Sequence, residues 1–172
     1  MDIRLDFIFR RRSIRKYQER EIPRAILREL LEAGMSAPSA MAKDPWHFIV
    51  VRDKETLTAV AAALPNGKML ESADTGFVIC GDISVAHGNE LSYLLQDCSA
   101  AIENILLAAP ALGLGACWLG VHPRQDRIDA IRKIFGLADN IIPIAAIALG
   151  YPDEEKAPSS RYSEAAVHYE KW

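Results

Sequence analysis

Long apolar runs are missing from this chain of 172 residues: none approaches the roughly 20 consecutive apolar residues that cross a bilayer as a helix. A membrane span is therefore not expected. The stretch Met1-Asp2-Ile3-Arg4-Leu5-Asp6 lacks the apolar segment of a secretory signal, so the expected location is the cytoplasm. Cysteine is scarce and odd in number: Cys80, Cys98 and Cys117 stand alone in apolar or helical surroundings, which excludes a disulfide scaffold or a CxxC site. His47, His87, His122 and His168 are scattered without ligand spacing, so no metal is assigned. No GxGxxG follows a predicted strand, which excludes a dinucleotide-binding fingerprint. Repeats and low-complexity segments are absent. What remains is a chain of ordinary domain length, half of it hydrophobic, expected to form one unit over residues 1–172.

Charge is concentrated in one place. Arg10-Arg11-Arg12-Ser13-Ile14-Arg15-Lys16 packs four arginines, a lysine and a hydroxyl into seven residues. Guanidinium forks donate paired hydrogen bonds to phosphate, and a serine hydroxyl adds a short donor. The same cluster also fits the carboxyl end of a helix, where cations offset the dipole. A nucleic-acid arm fits less well, because the chain carries a net charge of -3 and no broader basic stripe.

Taken in order, Asp2 to Arg12 reads as a short helix with Leu5, Ile8, Phe9 and Arg12 on one face, followed by an extended link from Ser13. Pro23 fits the first turn of a second helix carrying Ile26, Leu27, Leu30 and Leu31, with Gly34 as its stop. The small-residue loop Ser36 to Pro45 leads into a strand, Trp46 to Val51. Asp53 caps a helix through about Leu64, and the turn Pro65-Asn66-Gly67 exposes Lys68. Thr75 to Cys80 is a second strand. Glu90 to Leu112 is a long helix, apolar nearly all round from Cys98 to Ala111, which implies burial on more than one side and contact with a partner subunit. Ala116 to Val121 is a third strand, Pro123 opens a helix ending at Gly136, and Ile141 to Leu149 is a fourth strand. Strands alternating with helices give an α/β or α+β class. From Gly150 the chain turns polar, yet Val167, Tyr169 and Trp172 return apolar surface, which suggests a tail docking on a neighbouring subunit.

Four blocks in this order resemble the nitroreductase family of FMN-dependent oxidoreductases: Arg11-Arg12-Ser13-Ile14-Arg15; Ala37-Pro38-Ser39-Ala40 with Pro45-Trp46-His47-Phe48; Gly113-Leu114-Gly115-Ala116-Cys117-Trp118-Leu119-Gly120; and Ala148-Leu149-Gly150-Tyr151-Pro152 with Arg161. The resemblance implies an α+β fold with a mixed central sheet, an intertwined homodimer whose tail, residues 150–172, crosses to the partner, and FMN at the dimer interface. It implies that Arg11, Arg12, Ser13 and Arg15 hold the FMN phosphate and ribityl oxygens, with Arg161 reaching the same phosphate. It further implies that Pro38, Ser39 and Ala40 pack on the flavin from the other subunit, that Leu119 and Gly120 lie beside the ring, and that Lys68 lies near its pyrimidine side.

The implied activity is hydride transfer from NADH or NADPH, bound transiently, through the flavin to a nitroaromatic, quinone or similar acceptor in a ping-pong cycle. Reductive dehalogenation, flavin destruction or a non-catalytic flavin-binding dimer are the alternatives. No side chain is assigned as a catalytic acid or nucleophile, because the flavin carries the chemistry. Ala42, Asp44 and Ser159 depart from the family pattern, and the short stretch from Thr75 to Leu91 leaves little room for a lid.

Overall fold

A computed structural model describes residues 3–172. Four strands form its centre: β1 (Trp46–Val51), β2 (Thr75–Asp82), β3 (Gly115–Gly120) and β4 (Ile141–Gly150). They lie in the order β1-β2-β4-β3, and every neighbouring pair is antiparallel. The sheet expected to be mixed is therefore antiparallel throughout its four strands, and the parallel bridge between Ser13 and Ala116 lies outside them, where the basic segment runs along the edge strand β3. Among the described residues five α-helices surround the sheet: α1 (Asp6–Arg10), α2 (Arg24–Met35), α3 (Lys54–Ala63), α4 (Leu91–Ala111) and α5 (Gln125–Phe135). The class is α+β.

The two inner strands explain their own sequences. Side chains alternate across a strand, so Phe77 and Ile79 of β2, with Ile147 and Leu149 of β4, enter a core shared with α2 and α4. Val78 and Cys80, with Ala146 and Ala148, enter a second core shared with α3 and α5. A strand covered on both faces needs apolar residues at every position, which is why β2 and β4 carry no polar alternation.

Several boundaries differ from the sequence reading. The first helix is shorter than expected: α1 ends at Arg10, and Arg11 leaves the helical region at φ -59°, ψ 114°, so that the chain can run beside β3. The expected start at Asp2 lies outside the described residues. Gly34 does not stop α2, which runs on to Met35; the residue is buried, and a Cβ there would lie 2.9 Å from Ile105 Cδ1. Its role is to let α2 approach α4. The fifth helix starts at Gln125 rather than Pro123, because the Val121 and His122 amides both donate to the Ile144 carbonyl and hold the chain on the sheet. Asp53 caps α3 as expected, accepting from the Thr56 amide at 2.8 Å, a contact of a kind worth about 0.5–2 kcal/mol.

Candidate functional site

The basic segment is held against the sheet by a pair of glycines. Gly115 of β3 and Gly150 of β4 face each other in register. A Cβ on Gly115 would lie 2.7 Å from Ile14 Cγ2, and a Cβ on Gly150 would lie 2.8 Å from Tyr17 Cδ1. The two glycines thus form a floor without side chains, on which the only buried residues of the 11–17 segment, Ile14 and Tyr17, are seated. The Tyr17 hydroxyl donates to the Ile14 carbonyl at 2.6 Å and lies 3.3 Å from the Ala148 carbonyl, and burial pushes its ionisation up. The Ile14 amide donates to the Ala116 carbonyl at 3.0 Å. With the backbone fixed in this way, Ser13 and Arg15 fall on one face of an extended stretch, and both meet the Cys117 side chain.

That face opens on a cavity of about 540 Å³ lined by Arg15, Lys68, Leu119 and Gly120, four of the residues expected at the site, together with Met69, Trp118 and Arg127. Among the described residues no carboxylate lines it. Lys68 is exposed beyond the Pro65-Asn66-Gly67 turn, as read from sequence. Burial pushes the Cys117 thiol up, against the opposing pull of Arg15, Ser13 and Lys156.

Arg11, Arg12 and Arg161 border a separate hollow of about 220 Å³ with Ser159 and Ser160. Arg11 Nε lies 3.6 Å from Glu103. Pro38, Ser39 and Ala40 line neither cavity; they belong to the loop after α2, which is anchored on α4 through the Ala40 amide. Within one chain the expected site residues therefore fall into three groups, with Ser13 between the first two.

The tail folds back on the basic segment of its own chain. Asp153 N–H donates to the Lys16 carbonyl at 2.9 Å, Lys156 Nζ to the Ser13 carbonyl at 2.5 Å, and Arg12 Nη1 to the Ala157 carbonyl at 2.5 Å. Glu154 Oε1 accepts from the Arg15 amide at 2.6 Å and lies 3.0 Å from Lys156 Nζ; the Arg15 N–H first and Lys156 next hold its carboxyl below the usual range. Beyond this clasp the tail is exposed, with Tyr162, Tyr169 and Trp172 all more than 70% accessible.

The 38–45 loop has its own anchors. Ser39 Oγ donates to Asp44 Oδ1 at 2.5 Å and accepts from the Asp44 amide at 2.9 Å, so the departure at Asp44 closes the loop internally. Met41, Ala42 and Asp44 have φ of 54°, 51° and 48°, a conformation non-glycine residues seldom adopt. Asp97 of α4, 5% exposed, holds this strained loop by accepting from the Ala40 amide at 2.9 Å. Its other oxygen is buried without a partner.

Asp97, Arg127, Glu154 and Lys156 were missed by sequence reasoning. None of them carries a local signal: Asp97 stands next to Gln96 just before the apolar stretch that begins at Cys98, and reads as one more polar position of the helix. Among the described residues no group of three or more His, Cys, Asp or Glu is placed to hold a metal, and no helix is long and apolar enough to cross a membrane.

Comparison with known proteins adds a second line of observation. The model of the Nitroreductase family matches residues 8–74 and 59–151. A protein of Methanothermobacter thermautotrophicus, provisionally named NADH dehydrogenase/NAD(P)H nitroreductase, is 44% identical over 172 residues, covering 100% of this chain and 88% of its own. A crystal structure from Bacteroides thetaiotaomicron under the same provisional name is 41% identical, with a TM-score of 0.93 over 100% of this chain and 99% of the other. A provisionally named nitroreductase of Desulfovibrio desulfuricans, solved in complex with FMN, is 30% identical with a TM-score of 0.86, covering 100% and 99% of the two chains.

Proposed function

This chain belongs to the nitroreductase family, and from that premise we propose that it is an FMN-dependent oxidoreductase that takes a hydride from NADH or NADPH and delivers it to a nitroaromatic, quinone or similar acceptor in a ping-pong cycle. The observation that carries the reading is the cavity where Arg15, Lys68, Leu119 and Gly120 converge beside Ser13, with no carboxylate among the described residues of its lining. The residues present fit FMN: Arg11, Arg12 and Arg161 in the neighbouring hollow, with Ser13, for the phosphate, Arg15 and Lys68 on the cavity, and Met69, Trp118 and Leu119 as apolar wall for a flat ring.

When bound, FMN supplies the hydride chemistry, and the protein supplies orientation and field. Ser13, Arg11, Arg12 and Arg161 bind and neutralise phosphate. Arg15 and Lys68 set a positive field over the cavity, which favours negative charge developing there. Gly120, exposed and without a side chain, leaves its backbone open to a ring edge. Cys80, Cys98 and Cys117 stay outside the chemistry, since burial pushes their thiols up, the first two to about 12.

The proposed assembly is a homodimer of single-domain chains, in which the Pro38–Ala40 loop of one copy reaches the cavity of the other and the exposed end of the tail, beyond the clasp that holds residues 153–159 on their own chain, crosses between them. Two features support it: that loop lines neither the cavity of about 540 Å³ nor the hollow of about 220 Å³ in its own chain, and apolar surface is exposed at both chain ends, at Phe7 and Ile8 and at Tyr162, Tyr169 and Trp172. The proposed location is the cytoplasm, in keeping with three free, buried cysteines.

The deciding experiment is anaerobic reduction of the FMN-loaded protein with NADH and with NADPH in turn, followed by a panel of acceptors. Reduction by a nicotinamide and reoxidation by a nitroaromatic or quinone are expected. Protein that stays colourless after incubation with FMN would overturn the reading. Replacing Arg11 and Ser13 together is expected to abolish flavin retention without changing the fold.

A further inference from the structure

Three cations border the cavity of about 540 Å³: Arg15, Lys68 and Arg127. The first two are absorbed by the proposed function. Arg127 is not, and its setting is unusual in three respects. It stands in the first turn of α5, where the helix dipole favours anions rather than cations. It is half-buried, and among the described residues it belongs to no ion pair. Its Nη1 donates to the Gly120 carbonyl at 2.8 Å, but its Nε is buried with no partner. A tether between α5 and the end of β3 would explain the Gly120 contact alone. It would not explain a half-buried, unpaired guanidinium whose Nε is buried without a partner at a helix amino terminus, a position where any neutral donor long enough to reach Gly120 would be cheaper to bury.

An unmet demand for negative charge at the wall of this cavity has a natural source. Acceptance of a hydride by a neutral ring system adds two electrons and one proton, hence one negative charge, while the donor nicotinamide becomes the corresponding cation. The phosphate charge is already matched by the arginines of the basic segment, so the new charge is the one left without a partner.

We propose that Arg127 is a potential-setting residue, a third cation that favours the reduced over the oxidised flavin while holding the Gly120 peptide in place. The proposal rests on the flavin reading above and adds to it a residue that neither the basic segment nor its neighbours in sequence would indicate.

The test compares wild type, Arg127→Gln and Arg127→Lys, each loaded with FMN. Two quantities are read: the dissociation constant for oxidised FMN, by titration of its fluorescence, and the two-electron midpoint potential, by anaerobic spectroelectrochemistry. Arg127→Gln is expected to bind oxidised FMN within about twofold of wild type yet to lose on the order of tenfold in preference for the reduced form, a fall of about 30 mV for a two-electron couple. Arg127→Lys keeps the charge and is expected to keep most of the potential. An unchanged potential in Arg127→Gln, or a Lys variant that falls as far as the Gln variant, overturns the proposal, because then charge is not what Arg127 contributes. Equal weakening of oxidised and reduced FMN overturns it in favour of a tether. If Arg127→Gln fails to fold, Arg127→Met, likewise uncharged, takes its place under the same criterion. Failure of wild type to bind FMN at all would instead remove the flavin reading on which the proposal stands.

Discussion

Replacing Gly150 with alanine tests whether the glycine floor builds the site. The new Cβ would stand 2.8, 2.9 and 3.0 Å from Tyr17 Cδ1, Cγ and Cβ, where ordinary contact begins at 3.4 Å. Tyr17 must therefore retreat by about 0.6 Å, the difference between 3.4 and 2.8 Å. Its hydroxyl is fixed by the Ile14 carbonyl at 2.6 Å and the Ala148 carbonyl at 3.3 Å, and a shift of that size breaks the longer contact and strains the shorter. Overpacking of a close-packed site costs about 1–3 kcal/mol, and a lost hydrogen bond adds about 1 kcal/mol. A loss of about 2–4 kcal/mol follows, and at about 2–4 °C per kcal/mol for a chain of this size the melting temperature should fall on the order of 10 °C. Thermal denaturation followed by circular dichroism measures the first effect. FMN titration measures the second, a weakened affinity, because relief of the clash moves the backbone that carries Ser13 and Arg15. The decisive control is a double-mutant cycle with Tyr17→Ala, in which the ring that clashes is gone: Gly150→Ala should cost at least 1 kcal/mol less in that background, roughly the coupling seen between residues in contact. An additive cycle, or a Gly150→Ala protein that melts with wild type and binds FMN equally well, would refute the reasoning.

Three further outcomes are expected. Asp97→Ala should free the Ala40 amide and cost about 1–3 kcal/mol, with faster proteolysis within the 38–45 loop, whereas Asp97→Asn retains an acceptor and should stay close to wild type; equal cleavage rates in both variants would show that the contact does not hold the loop. The Glu154 carboxyl is held below its ordinary value in the folded chain, so its contribution is present above the unfolded value of 4.5 and is lost as pH falls through the lower folded value; urea titrations from pH 7 to pH 3 should show Glu154→Gln losing less stability on acidification than wild type. Cys80 and Cys98, pushed up to about 12 by burial, should resist a thiol reagent at pH 8 until denaturant is added, and rapid labelling of either in the native protein would contradict their burial.

Much of the fold was legible because it is written locally. The apolar runs Thr75 to Cys80 and Ile141 to Leu149 had to be strands covered on both faces, and Asp53 and Gly136 marked helix ends through contacts made within a few residues. What stayed hidden depends on parts distant in sequence. Gly34 carries the signature of a helix stop, but its actual partner, Ile105, lies in another helix. The pairing of Gly115 with Gly150 requires the register of two strands, which no local pattern specifies. Arg127 and Asp97 gain meaning only from what they face, a carbonyl at the end of β3 and an amide in a distant loop. The candidate site was accordingly half legible. Motif order located Arg15, Lys68, Leu119 and Gly120, which the fold gathers about one cavity, while the residues that hold the surrounding backbone carried no sequence signal of their own.

The glycine floor also bears on the order in which the chain can assemble. Gly115 lies opposite Gly150 in only one alignment of β3 with β4, and a slip by one residue would set Ala116 or Leu149 where a bare backbone is needed. The basic segment, although made near the start of the chain, has nowhere to settle until its last strand has paired correctly. Under the proposed function, flavin capture is thus reserved for molecules whose sheet is already in register, and mass action would stabilise those molecules and no others. Occupancy of the cavity becomes a quality check on the completed chain.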